Sequence, residues 1–141
     1  MYKAILSINN REEWIVFPFL PPGIGPQQEQ NNDTYNGLSK DYNTIGTMGL
    51  WQMSWSSFFP VGTQRRSYAD ADSLPNGWDY ISFFDRNRPR LLPFRFILID
   101  SGGVTRINSP VTVDSFSWQV QRNGDIAYSI TLREYRFIGG T

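Results

Sequence analysis

The chain has 141 residues, 13 basic against 13 acidic, with no cysteine and no histidine. That length suits one domain, 1–141, burying roughly two-thirds of its unfolded surface without help from disulfides or metals. The two missing residue types exclude disulfides, thiol nucleophiles, Ser-His-Asp and Cys-His catalysis and the usual zinc sites, and balanced charge gives no overall field toward nucleic acid or anionic membrane.

No apolar run approaches the ~20 residues that cross a bilayer, and Met1–Ser7 is too short for a signal peptide, so a soluble protein made in a cytoplasm is expected. Ten Phe, seven Tyr and five Trp, many at alternating positions, favour pleated surfaces and a mainly β core. Two apolar runs, Tyr2–Ile8 and Trp14–Phe17, flank the polar Asn9-Asn10-Arg11 and predict a first hairpin. Pro18 ends the second run. Pro21-Pro22-Gly23-Ile24-Gly25-Pro26 then leaves any ladder, because proline has no N–H to donate.

From about residue 24 to 47 the chain is polar, amide-rich and punctuated by glycine, with Tyr35, Leu38, Tyr42 and Ile45 as its only sizeable apolar anchors. This reads as a long loop or loosely paired arm. Connections of such length are usually functional or disordered, so the segment is either a mobile surface loop or one that orders on a neighbouring subunit.

Trp51, Met53 and Trp55 alternate with Gln52, Ser54 and Ser56, a half-buried strand running through Phe58-Phe59 to Pro60. Val61–Asp72 is a second polar connection carrying Arg65-Arg66, Asp70 and Asp72. The two aspartates have the spacing of calcium ligands, but hard cations need six or more oxygens and no EF-hand frame follows. Ser73 reads as a helix cap and Pro75 as a first-turn residue; Trp78, Ile81, Phe84 and Asp85 then fall at helical spacing. One short helix at about 75–88 is predicted, with its aromatic stripe in the core and Pro89 and Pro93 as stops. Phe94–Ile99 is nearly continuous in hydrophobicity, as a strand covered on both faces would be. Asp100-Ser101-Gly102-Gly103 turns it back into Val104–Ile107.

Ser109–Phe137 holds the most legible pattern. Phe116, Trp118 and Val120 alternate with polar residues, Arg122-Asn123-Gly124-Asp125 intervenes, and Ile126, Tyr128, Ile130 and Leu132 resume the alternation. Asn-Gly favours a tight turn with positive φ at both central residues. After Leu132 the apolar positions change parity to Tyr135 and Phe137, which predicts a break in pairing near Arg133-Glu134.

No phosphate loop, GxSxG elbow, HExxH or basic-aromatic RNA motif is present. Catalysis would fall to scattered carboxylates, Asp79, Asp85, Glu134 and the Glu12-Glu13 pair, each in a position typical of solvated or capping groups. A carbohydrate-binding β-sandwich is the alternative, since exposed Trp and Tyr stack on sugars. Against it, Trp51, Trp55, Trp118 and Tyr128 share strand faces with aliphatic residues, as core residues do; Trp14 and Tyr68 are less constrained.

Several phrases occur in a familiar order: Ser57-Phe58-Phe59-Pro60 ending a strand, Pro75 with Tyr80-Ile81, the strand Arg95–Ile99, Pro110-Val111 through Asp114-Ser115-Phe116, and the closing Ser129–Tyr135. Over roughly residues 48–137 the chain resembles the amino-terminal domain of LysM-bearing baseplate proteins of contractile phage tails and phage-tail-like particles. In that family a linker and LysM module follow, whereas this sequence runs to Thr141. The resemblance implies an antiparallel β-sandwich or small barrel of the tail-tube type with one helix. It implies a structural, non-enzymatic subunit that forms a ring between tail tube and hub or spike and contacts other baseplate proteins. It implies no cofactor or metal, no sequence-specific nucleic acid, no membrane insertion, and a location in a virion tail or baseplate assembled in the bacterial host cytoplasm. Tyr35, Leu38, Tyr42, Arg65, Arg66, Arg133 and Glu134 are the candidate interface residues.

Overall fold

The computed structural model describes residues 2–137; the ends of the expected domain, Met1 and residues 138–141, lie outside the described residues. The fold is mainly β with one short helix. Six strands form one antiparallel sheet in the order β2(Glu13–Val16), β1(Lys3–Ile8), β6(Phe94–Ile99), β7(Thr105–Val120), β8(Ile126–Glu134), β5(Gln52–Phe59). A separate two-stranded ribbon pairs β3(Asp33–Asn36) with β4(Asp41–Thr44).

The edge strands β2 and β5 are not joined by a ladder, so the sheet is not a closed barrel. It is nevertheless curled into a sandwich-like arrangement: Phe17, just after β2, brings its ring 5.4 Å from Trp55 and 6.3 Å from Phe59 on the opposite edge. Sheet edges invite unwanted strand addition. Here the β5 edge is paired with Gln27 at Gln52, and Phe19 packs on Phe58 at 4.7 Å. Residues 20–26 therefore pass along this edge between those contacts, and Pro21, Pro22 and Pro26 have no N–H to offer it. At the other edge, the Tyr80 hydroxyl donates to the Val16 carbonyl at 2.5 Å.

β7 departs from expectation. Val104–Ile107 and the hairpin after Ser109-Pro110 are not separate strands but parts of one strand of 16 residues. Its first half pairs with β6 and its second with β8, and Val111 has a partner in each. Pro110 offers no N–H at this handover, and its carbonyl accepts from Tyr135 N–H at 2.9 Å. The expected break at Arg133-Glu134 is also corrected: β8 stays paired through Glu134, and the irregularity lies across the ladder in β7, between Val113 and Ser115. Asp114 is the extra residue, held by Arg133 Nε at 2.9 Å. Tyr135 and Phe137 lie beyond the strand and pack ring to ring at 5.1 Å.

The β7–β8 turn also differs in type. Gly124 has φ 93 and Asn123 does not have positive φ. Gly124 N–H bonds Gln121 O at 2.9 Å, so a type I turn is followed by one left-handed glycine. β6, expected to be covered on both faces, alternates instead: Phe94, Phe96 and Leu98 are buried, Ile97 and Ile99 half-buried and Arg95 exposed.

The helix α1 spans Gly77–Asn87, and its cap is Asn76, whose Oδ1 accepts from Trp78 N–H at 3.2 Å. Ser73 is no cap; its hydroxyl donates to Asp70 O at 2.6 Å. The buried stripe is Tyr80, Ile81, Phe83 and Phe84, while Trp78 and Asp85 face out. Gly77 permits the close approach of helix and sheet, since a Cβ there would lie 2.8 Å from Phe59 Cβ. The core centres on Phe59, stacked between Tyr80 at 4.3 Å and Tyr128 at 4.0 Å. Trp55 Nε1 donates to the buried Tyr128 hydroxyl at 2.9 Å. Trp118, read as core, is 43 % exposed and meets the half-exposed Trp78 edge-on at 5.3 Å.

Candidate assembly surface

The amide-rich stretch after the proline segment folds as an arm, so its pairing is the arm alternative rather than a structureless loop. It begins at β5: Gln27 and Gln52 exchange both backbone hydrogen bonds, at 2.7 and 2.8 Å. Gly49 N–H then reaches Glu29 O and Asn31 N–H reaches Thr47 O, and β3 and β4 pair from Asp33↔Thr44 to Asn36↔Asp41. Gly37 N–H to Lys40 O at 2.8 Å closes the tip.

The composition now has a physical cause. Where the ladder is irregular, side-chain amides complete it: Gln28 Nε2 donates to Gly49 O, Gln30 Nε2 to Gly46 O, and Gly46 N–H to Asn32 Oδ1, each at 2.9 Å. Gly46 is required by crowding, because a Cβ would sit 1.6 Å from Asn31 O. Arg136 braces the base through Met48 O and Gly49 O.

From Gln27 to Asn36 the ribbon rises nine steps of ~3.3 Å, a reach of about 30 Å. Its strands are exposed on both faces, and a lone two-stranded ribbon is marginal in water. Tyr35 and Tyr42 stack across it at 5.3 Å, while Leu38 at the tip is fully exposed. Three of the candidate interface residues therefore come together on one projecting element.

The other four lie on the body and bind their own chain. Arg65 Nε donates to Ser73 O at 2.8 Å. Arg66 grips the buried Asp125 with two nitrogens at 2.7 and 3.2 Å, and Asp125 also accepts from Val61 N–H. Arg133 holds the β7 bulge, and Glu134 Oε1 accepts from Trp51 N–H at 3.3 Å and from Arg136.

Sequence reasoning passed over exposed residues after the helix. Arg88–Arg90 form a 3₁₀ helix, and Leu91 follows at φ 60, almost wholly exposed beside Leu92. The available signal was a leucine pair bounded by Pro89 and Pro93, too short to lie within either neighbouring element.

The Glu12 and Glu13 carboxylates are tied to arginines. The Arg90 hydrogen bond holds the Glu12 carboxyl below its ordinary range, and Arg86, seconded by Asn87, does the same for Glu13. Both are carboxylates at neutral pH, unlike a general acid, whose pKa must be raised. Asp70 and Asp72 bind Lys3, and among the described residues no group of three or more Asp or Glu could hold a metal ion. Trp51 and Trp55 are buried, Trp78 and Trp118 stand 86° apart, and Arg11 lies 5.9 Å over Trp14. No helix among the described residues is long and apolar enough to cross a membrane.

These features define a class of fold: a curled antiparallel sheet, one helix packed inside it and a ribbon projecting from its edge. No protein-family model matches the chain, and no curated protein matches it by sequence. Among solved structures, the fold is similar to a chain in the six-fold symmetrised cryo-EM structure of the anti-feeding prophage (AFP) baseplate. The TM-score is 0.52 at 10 % identity, over 96 % of this chain and 89 % of that one. The two share a fold.

Proposed function

We propose that this protein is a structural, non-enzymatic subunit of the baseplate of a contractile phage tail or tail-like injection machine. In this reading it forms a ring at the junction of tail tube and hub, as a tube-like domain akin to that of LysM-bearing baseplate proteins. Its partners are further copies of itself, the tail tube, the hub or spike and other baseplate components, in a tail assembled in the host cytoplasm.

The arm is the observation that carries the proposal. A ribbon reaching about 30 Å from the body, wet on both faces and tipped by an exposed leucine, gains stability only where something covers it. Subunits that close into rings offer one patch to a different patch on the next copy, and an arm supplies the first patch. The shared fold with a baseplate chain over almost the full length supports the same setting.

The test is to co-express the chain with tube and hub proteins from its own gene neighbourhood and image the products by negative stain. Rings or tube-end assemblies are expected. A strict monomer that ignores those partners and binds glycans would overturn the proposal in favour of a carbohydrate-binding module.

A further inference from the structure

We infer that the arm tip of one copy seats in the cleft beside Leu91 of a second copy, with Leu38 filling the cleft and Asp41 meeting Arg88. The inference rests on the ring reading above and names its two contacting patches.

The cleft measures about 530 Å³ and is lined by Pro89, Leu91, Leu92, Val113 and Tyr135, with Arg88 on its wall. Leu91 is unusual on two counts. Its φ of 60 is a left-handed conformation that a bulky side chain rarely adopts, and its side chain is 92 % exposed. A leucine both strained and wet gains nothing from its own chain. Leu38 shows the same mismatch at the far end of the arm, at 110 % exposure. One chain thus carries an apolar knob on a projecting arm and an apolar socket on its body.

The charges of arm and socket are complementary, and Arg95, which with Arg11 lines a second apolar cleft of about 480 Å³, serves as the control below. The arm carries Glu29, Asp33 and Asp41 against Lys40 alone, and among the described residues none of these acids is in an ion pair. Arg88 is likewise unpaired, even with Asp85 one turn before it. Most of the body's charges are already matched, through Arg66–Asp125, Arg86–Glu13, Arg90–Glu12, Arg106–Asp100, Arg133–Asp114 and Arg136–Glu134. The apolar cleft formed by Tyr2, Leu20–Ile24 and Leu98 is of similar size, about 470 Å³. It suits an acidic arm poorly, because the neighbouring Lys3 is already bound by Asp70 and Asp72. Knob and socket are different patches of one surface, so their contact is head-to-tail and propagates into a ring or stack.

The experiment uses two full-length variants, Leu38→Asp and Leu91→Asp, both at exposed positions and each expected to melt within about 2 °C of wild type. In analytical ultracentrifugation each alone should lose self-association by at least about 30-fold, the scale of an interface hot spot. Mixed in equal amounts they should form a one-to-one dimer, because one intact knob still meets one intact socket. Arg88→Glu should dissociate the assembly, a copy combining Asp41→Arg with Arg88→Asp should restore it, and Arg95→Glu should leave it intact. Monomers persisting in the mixture while wild type still assembles would overturn this pairing and leave the ring reading standing. Dissociation by Arg95→Glu but not by Arg88→Glu would do the same. A wild-type chain that never associates with itself would overturn both.

Discussion

Phe59→Ala removes the ring on which the two layers of the protein meet. Phe59 is fully buried, lies almost parallel to Tyr80 and Tyr128 at 4.3 and 4.0 Å, and has Phe17 at 6.3 Å. Truncating a buried Phe costs about 3–5 kcal/mol through lost transfer energy and the cavity left behind. Neighbours on three sides anchored in β7–β8, in α1 and after β2 cannot all collapse into the gap, which argues for the middle of that range or above. With an unfolding entropy of ~2.1 cal/mol/K per residue, 141 residues give about 0.3 kcal/mol/K, so a loss near 4 kcal/mol lowers Tm by about 13 °C. Phe59→Leu keeps much of the volume and loses the stacking, so it should cost about 1–2 kcal/mol. Melting followed by near-UV circular dichroism and tryptophan fluorescence measures both. If Phe59→Ala melts within about 3 °C of wild type, the stack is not the centre of the core and the packing argument fails.

Trp118→Ala provides the contrast: half-exposed and held mainly by its edge contact with Trp78, it should cost only about 1 kcal/mol. A loss of 3 kcal/mol in urea titration would mean that the ring is buried. Gly46→Ala should disorder the arm, since its Cβ would overlap Asn31 O; assembly should fall while the melting of the body stays unchanged. Asp125→Ala leaves Arg66 and Val61 N–H without their acceptor and should cost about 1–3 kcal/mol, discounted because Arg66 is partly exposed. Stability should be flat between about pH 5.5 and 8, because the chain has no histidine. Hydrogen bonds from Arg90, Arg86, Lys3 and the Val104 N–H hold the carboxyls of Glu12, Glu13, Asp72 and Asp100, in that order, below the ordinary carboxylate values of about 4. Their contribution is therefore present above those values and lost as pH falls below about 4. A steep change in Tm between pH 6 and 8 would contradict this.

Much of the sheet was legible because its strands keep a period of two against a single covered face. β5 and β8 follow that rule, β5 ending at Pro60 and β8 starting from the polar turn at Arg122–Asp125. Where reading failed, a tertiary fact intervened. β7 runs unbroken through Pro110 because it changes partners there, which no local signal records. Its apolar alternation continues into Trp118 and Val120, which stay exposed although Trp118 touches Trp78 of α1. Asn76 takes the cap from Ser73 because the Gly77 backbone is tied to Pro60 O, fixing where the helix can begin. The arm lacked apolar alternation altogether, since Gln and Asn side chains rather than packing complete its ladder. Tyr35, Leu38 and Tyr42 were still found as isolated apolar residues in a polar tract. Arg65, Arg66, Arg133 and Glu134 stood out equally as charges, but their partners lie far away in sequence. Leu91 and Arg88 left almost no trace, because exposure and a left-handed φ are features of the folded chain.

In the proposed function the arm is an assembly element rather than part of the folding core. The direct measurement replaces residues 31–47 with an Asn-Gly turn joining Gln30 to Met48, then compares melting temperature and sedimentation with the wild-type chain. A Tm within about 2 °C of wild type and complete loss of rings and larger species are expected. A shortened chain that still assembles, or one that no longer folds, would contradict it.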